Sequence, residues 1–190
     1  MDAASLPYPL HLASLAVHAG RDDLTALGVH ALPIDLSTTN PLPDIDAGGA
    51  SYESMALGGA PTDGGNVYAR LWNPTVARVE AALAALEHAE AAAAFGSGMA
   101  AMTATLLAAQ QAAGTPPRAH VVAVRPLYGG TDRMLGPRLL GTEVTYCTPD
   151  DVARHLRPDT GLIVLETPGN PTLDLVDIES VVAAAGEVPV

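Results

Sequence analysis

HVVAV, residues 120–124, is where the apolar spacing of this sequence changes from a helical repeat to a continuous β-branched run. The change recurs downstream. TEVTYC (142–147) reads as a second strand, and GLIVLE (161–166) is apolar enough to be a third, buried on both faces. Between these runs the helical period returns: around Asp132 to Leu140, in DDVARHL after Pro149, and in VDIESVVAAAG (176–186), closed by Gly186. Thr148, with Asp151 three residues on, predicts a capping box for the DDVARHL helix. VPV (188–190) reads as the opening of a fourth strand, so the chain is expected to stop inside an element of a larger fold. Strand and helix alternate, which predicts a mostly parallel α/β sheet with flanking helices and right-handed crossovers.

Upstream, Met99, Met102, Leu106 and Ala109 recur at helical spacing until Gly114-Thr-Pro-Pro, a stripe best explained as core packing. A second amphipathic helix is expected in NPTVARVEAALAALEHAEAA (73–92), with Asn73 as cap, Pro74 in the first turn, and Val76, Val79, Leu83 and Leu86 on one face. AFGSGMAAM (94–102) therefore reads as an interruption of one long helix. Paired glycines there imply a bend or a close approach of the backbone to something. Residues 1–65 are rich in proline and glycine and weakly periodic, an extended arm that needs a surface to lie on.

The 190 residues are 48% hydrophobic, and nine arginines with no lysine stand against 21 carboxylates for a net charge of −12. That balance argues against nucleic acid or an anionic membrane as partner. No secretion signal and no bilayer-length apolar run is visible, and no metal site is expected. The single cysteine, Cys147, excludes an internal disulfide and fits a reducing cytoplasm. In EVTYC it reads as a small buried hydrophobe rather than a nucleophile.

Two chemistries could use Gly96-Ser97-Gly98-Met99-Ala100-Ala101. A dinucleotide fingerprint, G-x-G-x-x-A, needs a preceding strand and an acid after the next one; here HVVAV ends in Arg125, which leaves only an NADP version. The other is a phosphate cradle, in which a helix starting near Ser97 aims free N–H groups at an anion. That cradle also needs a cation, for which Arg70 in VYARLWNPT, with Tyr68 two residues earlier, is a candidate. From spacing alone Tyr68 and Arg70 fit a solvated surface turn. Tyr128 fits a half-buried core tyrosine equally well, and Asn170 a turn residue.

YARLWNPT and FGSGMAAM resemble the Y-x-R-x-x-N-P-T and S-G-M-A-A signatures of the Cys/Met-metabolism pyridoxal-phosphate enzymes, which include cystathionine γ-synthase, cystathionine lyases, methionine γ-lyase and sulfhydrylases. SLAVHAG (14–20), PIDLSTTN (33–40), PLYGGTDRML (126–135) and LETPGNPTLDLVDI (165–178) extend the resemblance in order along the chain. The resemblance implies the N-terminal half of a fold-type I large domain over residues 66–190, with the arm against a neighbouring subunit. It implies pyridoxal 5'-phosphate as cofactor, bound through the N–H groups of Gly98 and Met99 with Ser97 beside them. Tyr68 and Arg70 would reach the same phosphate in a neighbouring subunit, so the smallest active unit would be a dimer and the assembly a homo-oligomer, with a tetramer expected. Tyr128 would stack on the pyridine ring and assist proton movement at the leaving group. Asn170 would bond the ring's phenolic oxygen, with Glu166 close behind. At least one of the bonds Thr167–Pro168 and Asn170–Pro171 is expected to be cis.

The family's Schiff-base lysine and the aspartate paired with the pyridine nitrogen fall, by the same resemblance, beyond Val190. The implied function is elimination or replacement on a small sulfur amino acid in the cytoplasm by the full-length protein, with these 190 residues inactive alone. A non-catalytic half-subunit or remnant is the alternative, and an NADP-binding domain the more distant one. Gly130, where methionine γ-lyases commonly carry cysteine, leans toward cystathionine synthases and lyases.

Overall fold

β1 (His120–Val124) is fully enclosed, with no residue more than 2% exposed. It is the central strand of a three-stranded sheet ordered β2-β1-β3, pairing in parallel with β2 (Glu143–Cys147) and β3 (Thr160–Val164). The computed structural model describes residues 10–112, 120–136 and 139–190. It divides into two compact units, one ending at Ala94 and one spanning Phe95–Val190.

In the second unit the alternation of β1 explains both layers of helices. Val121 and Ala123 pack with Leu106 of α5 (Gly98–Ala112) and with Met134 and Leu135 of α6 (Gly129–Leu135). Val122 and Val124 face the other way, onto Val152 of α7 (Val152–His155) and Val181 and Ala185 of α8 (Ile178–Ala185). A side-chain period of two thus buries one strand against helices on both sides. The step from β1 to β2 crosses one face through α6. The step from β2 to β3 passes back over β1 on the other face through α7, so the two crossovers share one hand. All three strands therefore end at one edge, where open α/β sheets bind ligands.

Several local expectations change. α6 starts at Gly129 instead of Asp132, although glycine disfavours helix, because Tyr128 is its cap residue and is tied to Glu166 across the sheet edge. DDVARHL is only a 3-10 turn (Pro149–Asp151) followed by the short α7. The Thr148 hydroxyl bonds the Asp151 carboxylate at 3.1 Å and caps no backbone N–H. VPV forms no ladder: the Ile163 N–H donates to the Pro189 carbonyl at 2.8 Å, and proline has no N–H to continue the pairing. The expected stop of α5 at Gly114–Pro117 lies outside the described residues.

Among the described residues the first unit holds four helices, three of them in the breaker-rich segment: α1 (Leu12–His18), α2 (Leu24–Leu27), α3 (Ile45–Ala56) and α4 (Pro74–Leu86). Local caps account for two of the three: His11 accepts from the Ala13 N–H, and Asp44 from the Ala47 N–H at 2.7 Å. Asn73 caps α4 as expected, accepting from Thr75 at 2.9 Å and Val76 at 3.3 Å. The surface that residues 23–35 need is α4 itself. Arg78 of α4 pairs with Asp23 and bonds the Pro33 carbonyl, and the Thr75 hydroxyl accepts from the Asp35 N–H at 2.8 Å.

α4 also ends before its alanine-rich sequence does. His88 takes φ 53°, and the Ala89 N–H returns to the Ala84 carbonyl at 2.9 Å, a Schellman-type closure. The Ala94 N–H is then held by the Glu80 carboxylate at 2.8 Å. The glycines of AFGSGMAAM therefore open α5 and interrupt nothing, because the preceding helix has stopped at Leu86.

His120, at the opposite edge of the sheet from the strand ends, is fully buried. Its Nδ1 lies 2.7 Å from the Thr160 hydroxyl and its Nε2 lies 2.9 Å from the Thr145 hydroxyl. Burial, then the nearby Arg157 charge, holds the imidazole below its ordinary pKa of 6.5. The unfolded chain therefore takes up this proton first, so stability falls as pH drops below 6.5. Urea midpoints measured from pH 8 to pH 5 should decline over that acidic interval. In His120→Gln the decline should be shallower, whatever the variant's absolute stability.

Candidate functional site

α5 opens with a side-chain cap. The Ser97 hydroxyl accepts from the Ala100 N–H at 3.2 Å, and the Ala101 N–H bonds the Ser97 carbonyl at 3.1 Å. Gly98 and Met99 are then the first two helical residues, whose N–H groups have no intrahelical acceptor. A Cβ on Gly96 or Gly98 would meet nothing within 4 Å, so the space before the helix is open. These two glycines accordingly leave room at the helix start.

Ser97, Gly98, Met99, Tyr128 and Glu166 line one cavity of about 440 Å³, together with Met102 and Thr131. Glu166 follows β3, and its Oε2 accepts from the Tyr128 N–H at 2.7 Å. Its Oε1 accepts from the Thr131 hydroxyl at 3.4 Å. The Tyr128 ring, 49% exposed, lies over Gly130, where a Cβ would come 2.5 Å from its Cε1 and 3.0 Å from Met99 Sδ. Gly130 is thus the space that the ring occupies. Thr131 and Met102 carry no sequence signal for the cavity: Met102 belongs to a helical apolar stripe, and Thr131 precedes the point at which the helical period begins.

Asn170 stands exposed in the turn after Glu166 and is not among the residues lining that cavity. Thr167–Pro168 and Asn170–Pro171 are both cis, as is Arg125–Pro126. Gly169 packs on Pro126, whose Cγ a Cβ would approach to 2.6 Å. In the first unit, Tyr68 and Arg70 are neighbours, with the guanidinium 5.1 Å from the ring centroid and Arg70 exposed. Tyr68 forms an isolated antiparallel bridge with Thr39.

The dinucleotide reading loses its conditions. Residues 91–95 form no strand ahead of Gly96. Arg125 is committed to Asp132 at 2.8 Å and lies 3.9 Å from the centroid of the Tyr146 ring. Among the described residues no cluster of His, Cys, Asp and Glu could hold a metal, and no helix is long and apolar enough to cross a membrane.

A parallel α/β sheet whose strand ends stand beside an open helix N-terminus, an exposed aromatic face and a carboxylate around one cavity has the architecture of the open-sheet α/β class. The chain belongs to the family described as Cys/Met metabolism PLP-dependent enzyme, whose pattern it matches over residues 13–190. It is 59% identical over 182 residues to an L-methionine gamma-lyase of Brevibacterium sandarakinum, covering 95% of this chain and 45% of that protein. It is 55% identical to one of Streptomyces avermitilis, covering 92% and 41%. The chain thus spans less than half the length of the curated relatives it matches.

Among solved structures it resembles metB from Corynebacterium glutamicum, with a TM-score of 0.75 at 28% identity over 99% of this chain and 44% of that one. Cystathionine gamma-lyase from yeast follows at 0.72 and 30%, over 96% and 42%. The fold is accordingly the N-terminal portion of a fold-type I pyridoxal-phosphate enzyme. The lean toward cystathionine enzymes drawn from Gly130 finds no support in the two sequence relatives.

Gly130→Ala gains up to about 1 kcal/mol of helix propensity and loses about 1–3 kcal/mol to overpacking. The expected result is a small net loss of stability with a displaced Tyr128 ring. Ring resonances of Tyr128 should shift in the variant, while those of Tyr146 should not.

Proposed function

We propose that this chain supplies the phosphate-binding part of a pyridoxal-phosphate lyase acting on L-methionine. The observation that carries the substrate is the 55–59% identity to proteins named L-methionine gamma-lyase. The open start of α5 and the aromatic face beside it support the cofactor. Gly98 and Met99 donate their N–H groups to the phosphate, and the Ser97 cap keeps them pointing outward. Backbone donors do not neutralise a dianion, so Arg70, with the Tyr68 hydroxyl, adds the charge from a neighbouring subunit.

Tyr128 lays its ring on the flat heterocycle, and its hydroxyl moves a proton at the sulfur leaving group. Asn170 donates to the phenolic oxygen from its turn beyond β3. Pyridoxal phosphate, when bound, supplies the electron sink for the bond cleavage. The enzyme is read as a cytoplasmic homo-oligomer, at least dimeric and tetrameric in the expected assembly, with residues 1–65 against a neighbouring subunit and 66–190 in the cofactor domain. Leu36 and Ile45 in that arm, 89% and 87% exposed, suit a second copy of the chain.

A cystathionine reaction, by elimination or by replacement as a transferase, is the second reading. Gly130 and the likeness to yeast cystathionine gamma-lyase favour it.

The full-length protein, assayed in parallel with L-methionine, cystathionine and O-acylhomoserine, should release thiol from methionine with the highest kcat/KM. A clear preference for cystathionine would select the second reading. Arg70→Ala should weaken pyridoxal-phosphate binding about 10- to 100-fold, the worth of one charge-assisted hydrogen bond. Fluorescence titration of the apoprotein measures it.

A further inference from the structure

The resemblance puts Glu166 close behind the Asn170 contact with the cofactor, and both of its carboxylate oxygens are directed to the chain. Oε2 takes the backbone N–H of Tyr128 at 2.7 Å, and Oε1 takes the Thr131 hydroxyl at 3.4 Å. Tyr128 is the cap residue of α6, and Thr131 is 2% exposed within that helix. Their partner stands beyond the end of β3, so one side chain joins the loop after β1 to the loop after β3. Gly169 on Pro126 is a second tie between the same two loops. From the other side, the Tyr128 ring rests in the space left by Gly130, next to Met99 Sδ.

We propose that Glu166 is the positioning residue for Tyr128, holding its backbone so that the ring faces the cavity, and that this task depends on the reach of the side chain more than on its charge. Its value for catalysis rests on the proposed role of Tyr128; the contact itself is made between two groups of this chain. Glutamine keeps the length and an acceptor oxygen while losing the charge. Aspartate keeps the charge and falls one methylene short. The two substitutions therefore separate a hold on the Tyr128 N–H from an electrostatic action on a bound ligand.

The test uses the full-length apoprotein and residue-resolved amide hydrogen exchange. Glu166→Asp should speed exchange of the Tyr128 amide at least about tenfold, the loss of one hydrogen bond to a charged acceptor. Glu166→Gln should recover most of that protection. Glu166→Asp should also lower kcat more than it raises KM for the favoured substrate, and should leave pyridoxal-phosphate affinity within about threefold, well short of the Arg70→Ala effect. An unchanged Tyr128 amide in Glu166→Asp would overturn the proposal. So would a Glu166→Gln variant that loses cofactor affinity while the Tyr128 amide stays protected, because Glu166 would then act on the ligand directly. Failure of the methionine assay alone would leave the exchange result standing and would count only against the proposed substrate.

Discussion

The parallel pairing of β1 with strands on both sides is the constraint from which the rest of the second unit follows. Parallel neighbours run the same way, so the loops after β1 and β3 emerge together at one edge. Tyr128 and Glu166, 38 positions apart in sequence, thereby come within one hydrogen bond of each other. A one-residue slip of β1 would exchange its two faces, setting Val122 and Val124 against α5 and α6. The complete burial of His120 through Val124 makes such a slip costly.

The edge so formed provides donors and surfaces of different kinds. At the start of α5 the groups proposed to hold the phosphate are backbone N–H, independent of side-chain identity provided the helix begins there and nothing crowds it. Ser97 and the glycines meet those two conditions. At Tyr128 the group proposed to meet the cofactor is a side chain, which has to be aimed. Its backbone is held by Glu166 and its ring is given room by Gly130, so the aim depends on contacts from several elements. A helix as short as α6 has little intrinsic stability, and the Glu166 contact starts it where propensity alone would not.

In the first unit, residues 23–35 of the proline- and glycine-rich segment are organised by α4. Arg78, Thr75 and Asn73 each reach residues 23–35, which turns a weakly patterned stretch into one with defined partners. The exposed Arg70 beside Tyr68 is a cation with an aromatic neighbour. Its spacing alone fitted a solvated turn, and only the match of the whole Y-x-R-x-x-N-P-T pattern pointed to an anion.

What the amino-acid sequence determined by itself was whatever depends on local chemistry and hydrophobic period. The strands 120–124 and 143–147, the core of the third, the Asn73 cap and the stripe of α5 all belong here, because burial on a sheet or helix face leaves a periodic trace. The two glycines around Ser97 and the family signature belong here too. Tertiary structure alone decided where α6 starts and which residues meet beyond the strand ends. At Tyr128 a distant partner overrides propensity, the Glu166 carboxylate taking the backbone N–H from 38 positions away. Such partners meet only once the chain is folded, and a contact made by a single carboxylate leaves no repeat in the sequence from which it could be read.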